Sequence, residues 1–175
     1  MKFLTNTDFC RMRSLLKVLP FIFLFAASRQ TIAQEPPPRP VQVTVTAQIL
    51  GFGAFYHGAV GGTVMIAPDD TRSATGDVVL LGMGYLFSSA RYEIIANPGT
   101  VISILNGPNV NLPGSNGGFL TLQVGASDPV SPFVTTVPYG VITYLNIGGT
   151  ITVGNSAANP PGNYSGTFDI TLVQE

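Results

Sequence analysis

The chain has 175 residues, of which 45% are hydrophobic and only 10% charged, with 20 glycines, 14 prolines and a formal net charge of −1. It is too apolar to stay disordered and too rich in Gly and Pro for a helical bundle, and its size fits one domain plus a tail. One His, one Cys and no Trp leave little room for a His-based metal site, a Cys cluster or a Cys/His catalytic pair, and the charge gives no footing for nucleic acid.

Residues 1–33 read as a secretory signal peptide. Lys2, Arg11, Arg13 and Lys17 form a basic front, and Val18–Ala27 forms an apolar core. Thr31-Ile32-Ala33 supplies the small-residue cleavage site, so the cut is expected between Ala33 and Gln34. An apolar core of ten residues is half the length of a spanning helix, about 20 residues, so no membrane span is expected in the mature form. Met12 opens a signal of more typical length and is an alternative start to Met1. Cys10 lies in the basic front and is expected to be discarded. The mature chain then has no cysteine and no lysine; three arginines against eight acids give a formal charge of −5. The expectation is an exported, disulfide-free protein of the periplasm, cell surface or extracellular space, held together by its core.

Residues 34–40 form a proline-rich spacer with polyproline character, and residues 41–175 a single domain. In Val41–Ile49, the residues Val41, Val43, Val45, Ala47 and Ile49 share one face, which predicts a half-buried strand. The same period-two reading holds for Gly62–Ala67, Asp77–Leu81, Ala90–Ala96, Thr100–Leu105, Gly118–Val124, Val141–Ile147 and Gly149–Val153. In the last run, Tyr164, Phe168, Ile170 and Leu172 oppose Ser165, Thr167, Asp169, Thr171 and Val173. Turn residues separate these runs: Gly supplies positive φ and Pro fixes φ. No window has a helical period with caps. About eight or nine short strands predict an all-β, immunoglobulin-like or pilin-like antiparallel sandwich. Two connections, Gly107–Gly118 and Gly125–Gly140, exceed hairpin length and are expected to cross between sheets, with ligand-binding loops as the sharper alternative.

Chemistry-bearing residues are few. Asp69, Asp70 and Asp77 flank a turn; they suit a calcium ion or, more simply, Asp side chains bonding their own backbone. His57, in the run from Phe52 to Gly58, has no nucleophile or carboxylate near it in sequence to make it a catalytic base. Phe55, Tyr56, Tyr85, Tyr139 and Tyr144 suit core and edge packing or a sugar-stacking platform. Asn163-Tyr164-Ser165 matches a glycosylation sequon. Gly61-Gly62 and Gly148-Gly149 precede no helix, so they read as bulges or tight turns rather than phosphate loops.

Several stretches together carry a likeness: Leu50–Phe55, Gly61–Gly82, Ala96–Ile104, Gly117–Gly125 and Ile147–Leu172. With its Gly-Gly-Thr-Val strand opening and terminal Pro-Gly-x-Tyr-Ser-Gly-Thr-Phe strand, the chain resembles the bacterial exported proteins grouped as domain of unknown function family 4402. The resemblance implies a signal-bearing, single-domain β-sandwich from a Gram-negative bacterium and brings no biochemical activity with it. Tyr164, Gly166 and Phe168 also resemble the terminal pattern of pilin-like and spore-coat-U-type subunits, a likeness of fold alone.

Three functions are open from these residues. The first is a non-enzymatic exported structural protein, a fibre or adhesin-like subunit that associates with itself or with another surface protein. Its alternating front strand (Val41, Val43, Val45, Ala47, Ile49) either pairs within its own sandwich or fills a groove in a neighbour. The second is a soluble module binding a glycan or small ligand through Tyr139, Tyr144 and the long loops. The third, an enzyme, lacks a nucleophile–base–orienter set, an acid pair or a cofactor motif; no cofactor and no metal are expected.

Overall fold

The computed structural model describes residues 39–175. The expected signal peptide, its Ala33–Gln34 cut and all of the spacer before Arg39 lie outside the described residues.

Twelve strands follow in order: β1 (Gln42–Val45), β2 (Gly51–Phe52), β3 (Ala54–Ile66), β4 (Arg72–Leu81), β5 (Phe87–Ser88), β6 (Ala90–Ile95), β7 (Val101–Asn106), β8 (Val110–Pro113), β9 (Phe119–Asp128), β10 (Phe133–Val134), β11 (Thr143–Val153) and β12 (Ile170–Gln174). Every ladder is antiparallel. The fold is an all-β antiparallel sandwich. Seven strands make a large sheet, β10-β7-β12 make a small one, and β2 and β5 pair by themselves.

β11 is the axis of the large sheet. One of its edges pairs first with β6 (Thr143–Ile147) and then with β3 (Gly149–Val153); the other pairs with β9. Its inward residues, Leu145, Ile147, Ile151 and Val153, are almost fully buried. Each contributes roughly 1.5–3 kcal/mol by leaving water. Gly148 marks the switch from one neighbour to the next. The ladder to β9 shifts register there, and a Cβ on Gly148 would collide with the Ile66 carbonyl. The Gly61-Gly62 pair sits where the β3–β4 register shifts, so of the two readings the sequence left open, bulge or tight turn, both glycine pairs are bulges.

The turn from β3 to β4 is closed by short polar side chains. The Thr71 amide donates to Asp69 Oδ1 at 3.0 Å, an Asx turn. Asp70 takes a φ of 66° and accepts from the Ser89 amide and hydroxyl, both at 2.7 Å. That carboxylate ties the end of β3 to the start of β6, the two strands that share one edge of β11.

The core has two halves. In one, β6, β9 and β11 of the large sheet (Ile94, Val124, Leu145, Ile147) pack on the small sheet (Ile102, Phe133, Ile170, Leu172). In the other, Val64, Val78, Leu112, Leu120, Leu122, Ile151 and Val153 form the inner face of the large sheet. No sheet covers this second half. It is overlaid by Phe52 of β2 and by Leu50, Tyr164 and Phe168 from irregular segments.

Four sequence expectations change. Val141–Ile147 and Gly149–Val153 belong to one strand, because the glycines bulge rather than turn. Gly107–Gly118 contains β8, hairpinned onto β9, and Gly125–Gly140 contains the end of β9 and β10; both still carry the chain between sheets. The terminal run keeps its predicted alternation of half-buried Tyr164, Phe168, Ile170 and Leu172, yet only Ile170–Gln174 is laddered, on β7. Tyr164 instead bridges Gly114 of the β8–β9 turn, so this segment leaves one sheet and joins the other. The fourth change concerns the front strand. Val43, Val45, Ala47 and Ile49 are exposed, because β1 is the outermost strand of the large sheet and its apolar face extends past the small sheet.

Candidate functional site: an open seam between the two ends of the domain

β1 pairs only with β6, Gln42–Val45 against Tyr92–Ile95. The contact runs on as the Thr46 amide donates to the Arg91 carbonyl and the Arg91 amide to the Gln48 carbonyl. The opposite edge of β1 looks across a gap at the C-terminal segment. At its narrow end, about 220 Å³, Val41 and Val43 face Leu172 and Gln174, and the Val41 amide donates to Gln174 Oε1 at 3.3 Å.

A separate groove of about 940 Å³ lies beside Val45 and the segment that follows it. At its base lies the inner face of the large sheet, the buried Leu112, Leu120, Leu122, Ile151 and Val153, beneath the segments that roof it. One wall is Val45–Phe55 with the β2–β5 pair; the other is Asn159–Phe168. Gly166 sets the second wall. A Cβ there would lie 2.7 Å from Leu112 Cδ2, so only glycine lets the main chain settle onto the floor between Tyr164 and Phe168.

The mouth is apolar as well. Val45, Ile49, Met83, Tyr85 and Leu86 line it and are between 64% and 89% exposed. A contiguous exposed apolar rim on a folded domain marks an interaction site. No aspartate or glutamate lines the groove. Arg91 is engaged elsewhere: its Nε donates to Asn146 Oδ1 at 3.0 Å and its guanidinium lies 5.6 Å from the Tyr144 ring centre. Burial, aided by the Asp169 carboxylate, holds the Tyr92 phenol above its ordinary range, as expected where the surroundings disfavour charge.

His57 lies between two carbonyls, Gly58 O and Asn159 O, each 3.1 Å from a ring nitrogen. It pins β3 to the Asn159 turn. Asn159 is itself buried; it accepts from the Gly154 amide and donates to the Phe119 carbonyl, both at 2.5 Å. Asp69, Asp70 and Asp77 are each taken up by backbone or Ser donors, Asp77 by the Val60 amide at 2.8 Å. Among the described residues no three of His, Cys, Asp and Glu gather as a metal site.

Tyr139 and Tyr144 are half-exposed, but different arginines cover them: Arg39 lies 4.5 Å from the Tyr139 ring centre and Arg91 covers Tyr144. The groove itself was not foreseen. Its floor residues read in sequence as ordinary core and are buried as such; only the tertiary arrangement decides that irregular chain and the β2–β5 pair, rather than the small sheet, lie over them. One sequence signal pointed to it: Gly166 interrupts the inward row Tyr164–Phe168 where a large side chain would close the sandwich.

These features define a β-sandwich domain, cysteine-free over the described residues, whose second core half is roofed by its own end segments with a groove beside them. A family model described as domain of unknown function (DUF4402) matches residues 41–173. The chain belongs to that family. No curated protein and no solved structure matches it. No helix among the described residues is long and apolar enough to cross a membrane.

Proposed function

We propose that this chain is a non-enzymatic, exported structural subunit of fibre or adhesin type, which associates with its neighbours by strand addition through its front strand. The observation that carries this reading is β1. It is the edge strand of the large sheet, and its apolar side chains Val43 and Val45 are 44% and 70% exposed. Natural edge strands are normally blunted by charge, proline or a covering loop. Val41–Ile49 carries none of these devices. A bare, alternating edge strand suits β-augmentation, in which main-chain bonds give affinity and alternate side chains give specificity. Export rests on the signal-like residues 1–33, and cell-surface or periplasmic assembly follows from it. A glycan- or ligand-binding module built on Tyr139 and Tyr144 draws less support, because each ring already lies beneath an arginine.

The test is the assembly state of the purified chain, by light scattering after size separation and by SDS gels with and without boiling. Ladders that survive unboiled SDS, and vanish when Val43 and Val45 are both replaced by Lys, are the expected result. A monomer at every concentration would sink the reading.

A further inference from the structure

One stretch of surface carries large apolar side chains and almost nothing polar. Val45, Ile49, Met83, Tyr85 and Leu86 meet there from two segments, and each is between 64% and 89% exposed. The β4–β5 connection, which supplies three of them, stands clear of the domain: a Cβ on Gly82 or Gly84 would meet nothing within 4 Å. Neither segment carries a charge. Thr44–Tyr56 and Val78–Ala90 contain no Asp, Glu, Lys or Arg.

The polar side chains around this patch are turned back onto its main chain. Ser88 Oγ donates to the Ile49 carbonyl at 2.8 Å, and Gln48 Nε2 to the Ser89 carbonyl at 3.2 Å. Arg72 donates to the carbonyls of Phe52, Ala54 and Leu81 and lies against the Phe87 ring. Five carbonyls of the two segments are thus capped by the chain's own side chains. Water would satisfy them without help. A protein partner would use such groups, since interfaces carry about one hydrogen bond per 100–200 Å². Hydrocarbon offers no hydrogen bond, and an unpaired backbone group is costly there. Apolar side chains outside and paired polar groups behind them are what entry into a lipid interface requires.

We propose that the patch of Val45, Ile49, Met83, Tyr85 and Leu86 docks reversibly on the surface of a zwitterionic lipid bilayer. This docking is independent of strand addition. Charge selects the lipid. From Arg39 onward the chain has no lysine, more acids than arginines, and each of its three arginines lies against an aromatic ring. An anionic surface therefore repels the domain, and a neutral one accepts the patch. Tyr85 suits the boundary, with its ring among the acyl chains and its hydroxyl at headgroup level. Leu86, the most exposed of the five, enters deepest. So small an apolar contact is a weak anchor, with an affinity on the order of the 10⁴ M⁻¹ of a single acyl chain.

The chain has no tryptophan, so Leu86→Trp places one reporter in the patch. The probe is phosphatidylcholine vesicles, titrated into the full chain carrying Leu86→Trp. A saturable blue shift is expected, together with sedimentation of the native chain with the vesicles. Both should persist from about 0.05 to 0.5 M salt, because screening weakens only charge attraction. Met83→Ser with Leu86→Ser should weaken the partition at least tenfold and leave the melting temperature unchanged, since both positions are exposed. Residues 1–33 are common to both chains, so the difference between them belongs to the patch.

No shift and no sedimentation with phosphatidylcholine would overturn the proposal. Binding seen only with phosphatidylglycerol vesicles, and lost in high salt, would overturn it too, because that attraction is electrostatic. If the double Ser variant partitions as well as the native chain, the contact lies elsewhere and the patch assignment falls. If neither chain binds vesicles and the double Ser variant loses self-association by light scattering, the patch is a contact between copies instead.

Discussion

Few polar side chains in this domain stand alone, and each has a structural task that predicts what its loss would do. Arg72 is the strongest case. Its guanidinium donates to the carbonyls of Phe52 at 3.0 Å, Ala54 at 3.4 Å and Leu81 at 3.0 Å, and lies 4.4 Å from the Phe87 ring centre. It thereby fastens the groove wall to β4. Arg72→Ala should cost on the order of 3 kcal/mol by urea denaturation, since hydrogen bonds from a charged donor are worth about 1.5–3 kcal/mol. Arg72→Lys should recover little of it, because an ammonium lacks the planar fork. Asp77 carries a pH dependence. The Val60 amide, chiefly, holds its carboxyl below the ordinary aspartate range. Its contribution to stability is therefore complete above the unfolded value, about 3.9, and is lost as pH falls through the lower folded value. Asp69 follows the same sign through Thr71. Melting temperatures recorded from about pH 6 down to pH 2 should fall less steeply below pH 4 in Asp77→Asn than in the native chain.

Among the strands, β11 and β1 behave in opposite ways. β11 has neighbours on both edges along its length and carries the deepest side chains. Gly148→Ala would force its new methyl against the Ile66 carbonyl, so β3 must shift; a loss of roughly 3 kcal/mol or more is expected in thermal or urea melts. β1 contributes little to the core. Val43→Lys with Val45→Lys should change folding stability by no more than about 0.5 kcal/mol per site, because exposed positions tolerate substitution. The same pair should abolish self-association by light scattering. A large loss of stability in the double variant would mean that β1 belongs to the core after all. The sequence showed β1 as a strand with an apolar face, and it showed β11 as two strands. It could not rank them, because alternation reports which side chains share a face and is silent on whether another sheet lies over that face.

For the molecule as a whole, the asymmetry between the two core halves matters most. One half is closed by β7, β10 and β12; the other is roofed by irregular chain, with an apolar groove beneath. A domain without disulfides has only its core to hold it, so a core half that lacks a covering sheet packs less area than one between two sheets. Burying β1 against a neighbour should add to that area. The melting temperature should therefore rise with protein concentration if copies complete one another, as linkage requires of any partner that binds only the folded state. A melting temperature independent of concentration would argue for a self-sufficient monomer.

Period-two alternation, with Gly and Pro placed between the runs, was enough to fix an all-β sandwich and most of its strands, and the quoted Gly-rich motifs carried the family. Those features are local: each depends on neighbours a few residues away and so leaves a pattern in the chain. Pairing order is not local. That β6 and β3 share one edge of β11, that Asp70 joins them, and that Tyr164–Gln174 passes from one sheet to the other depend on contacts between distant segments. The groove is the extreme case. Leu112, Leu122 and Ile151 are as apolar in sequence as Leu145 or Ile147, and only the reach of the small sheet decided which of them it would cover and which would be roofed by other segments.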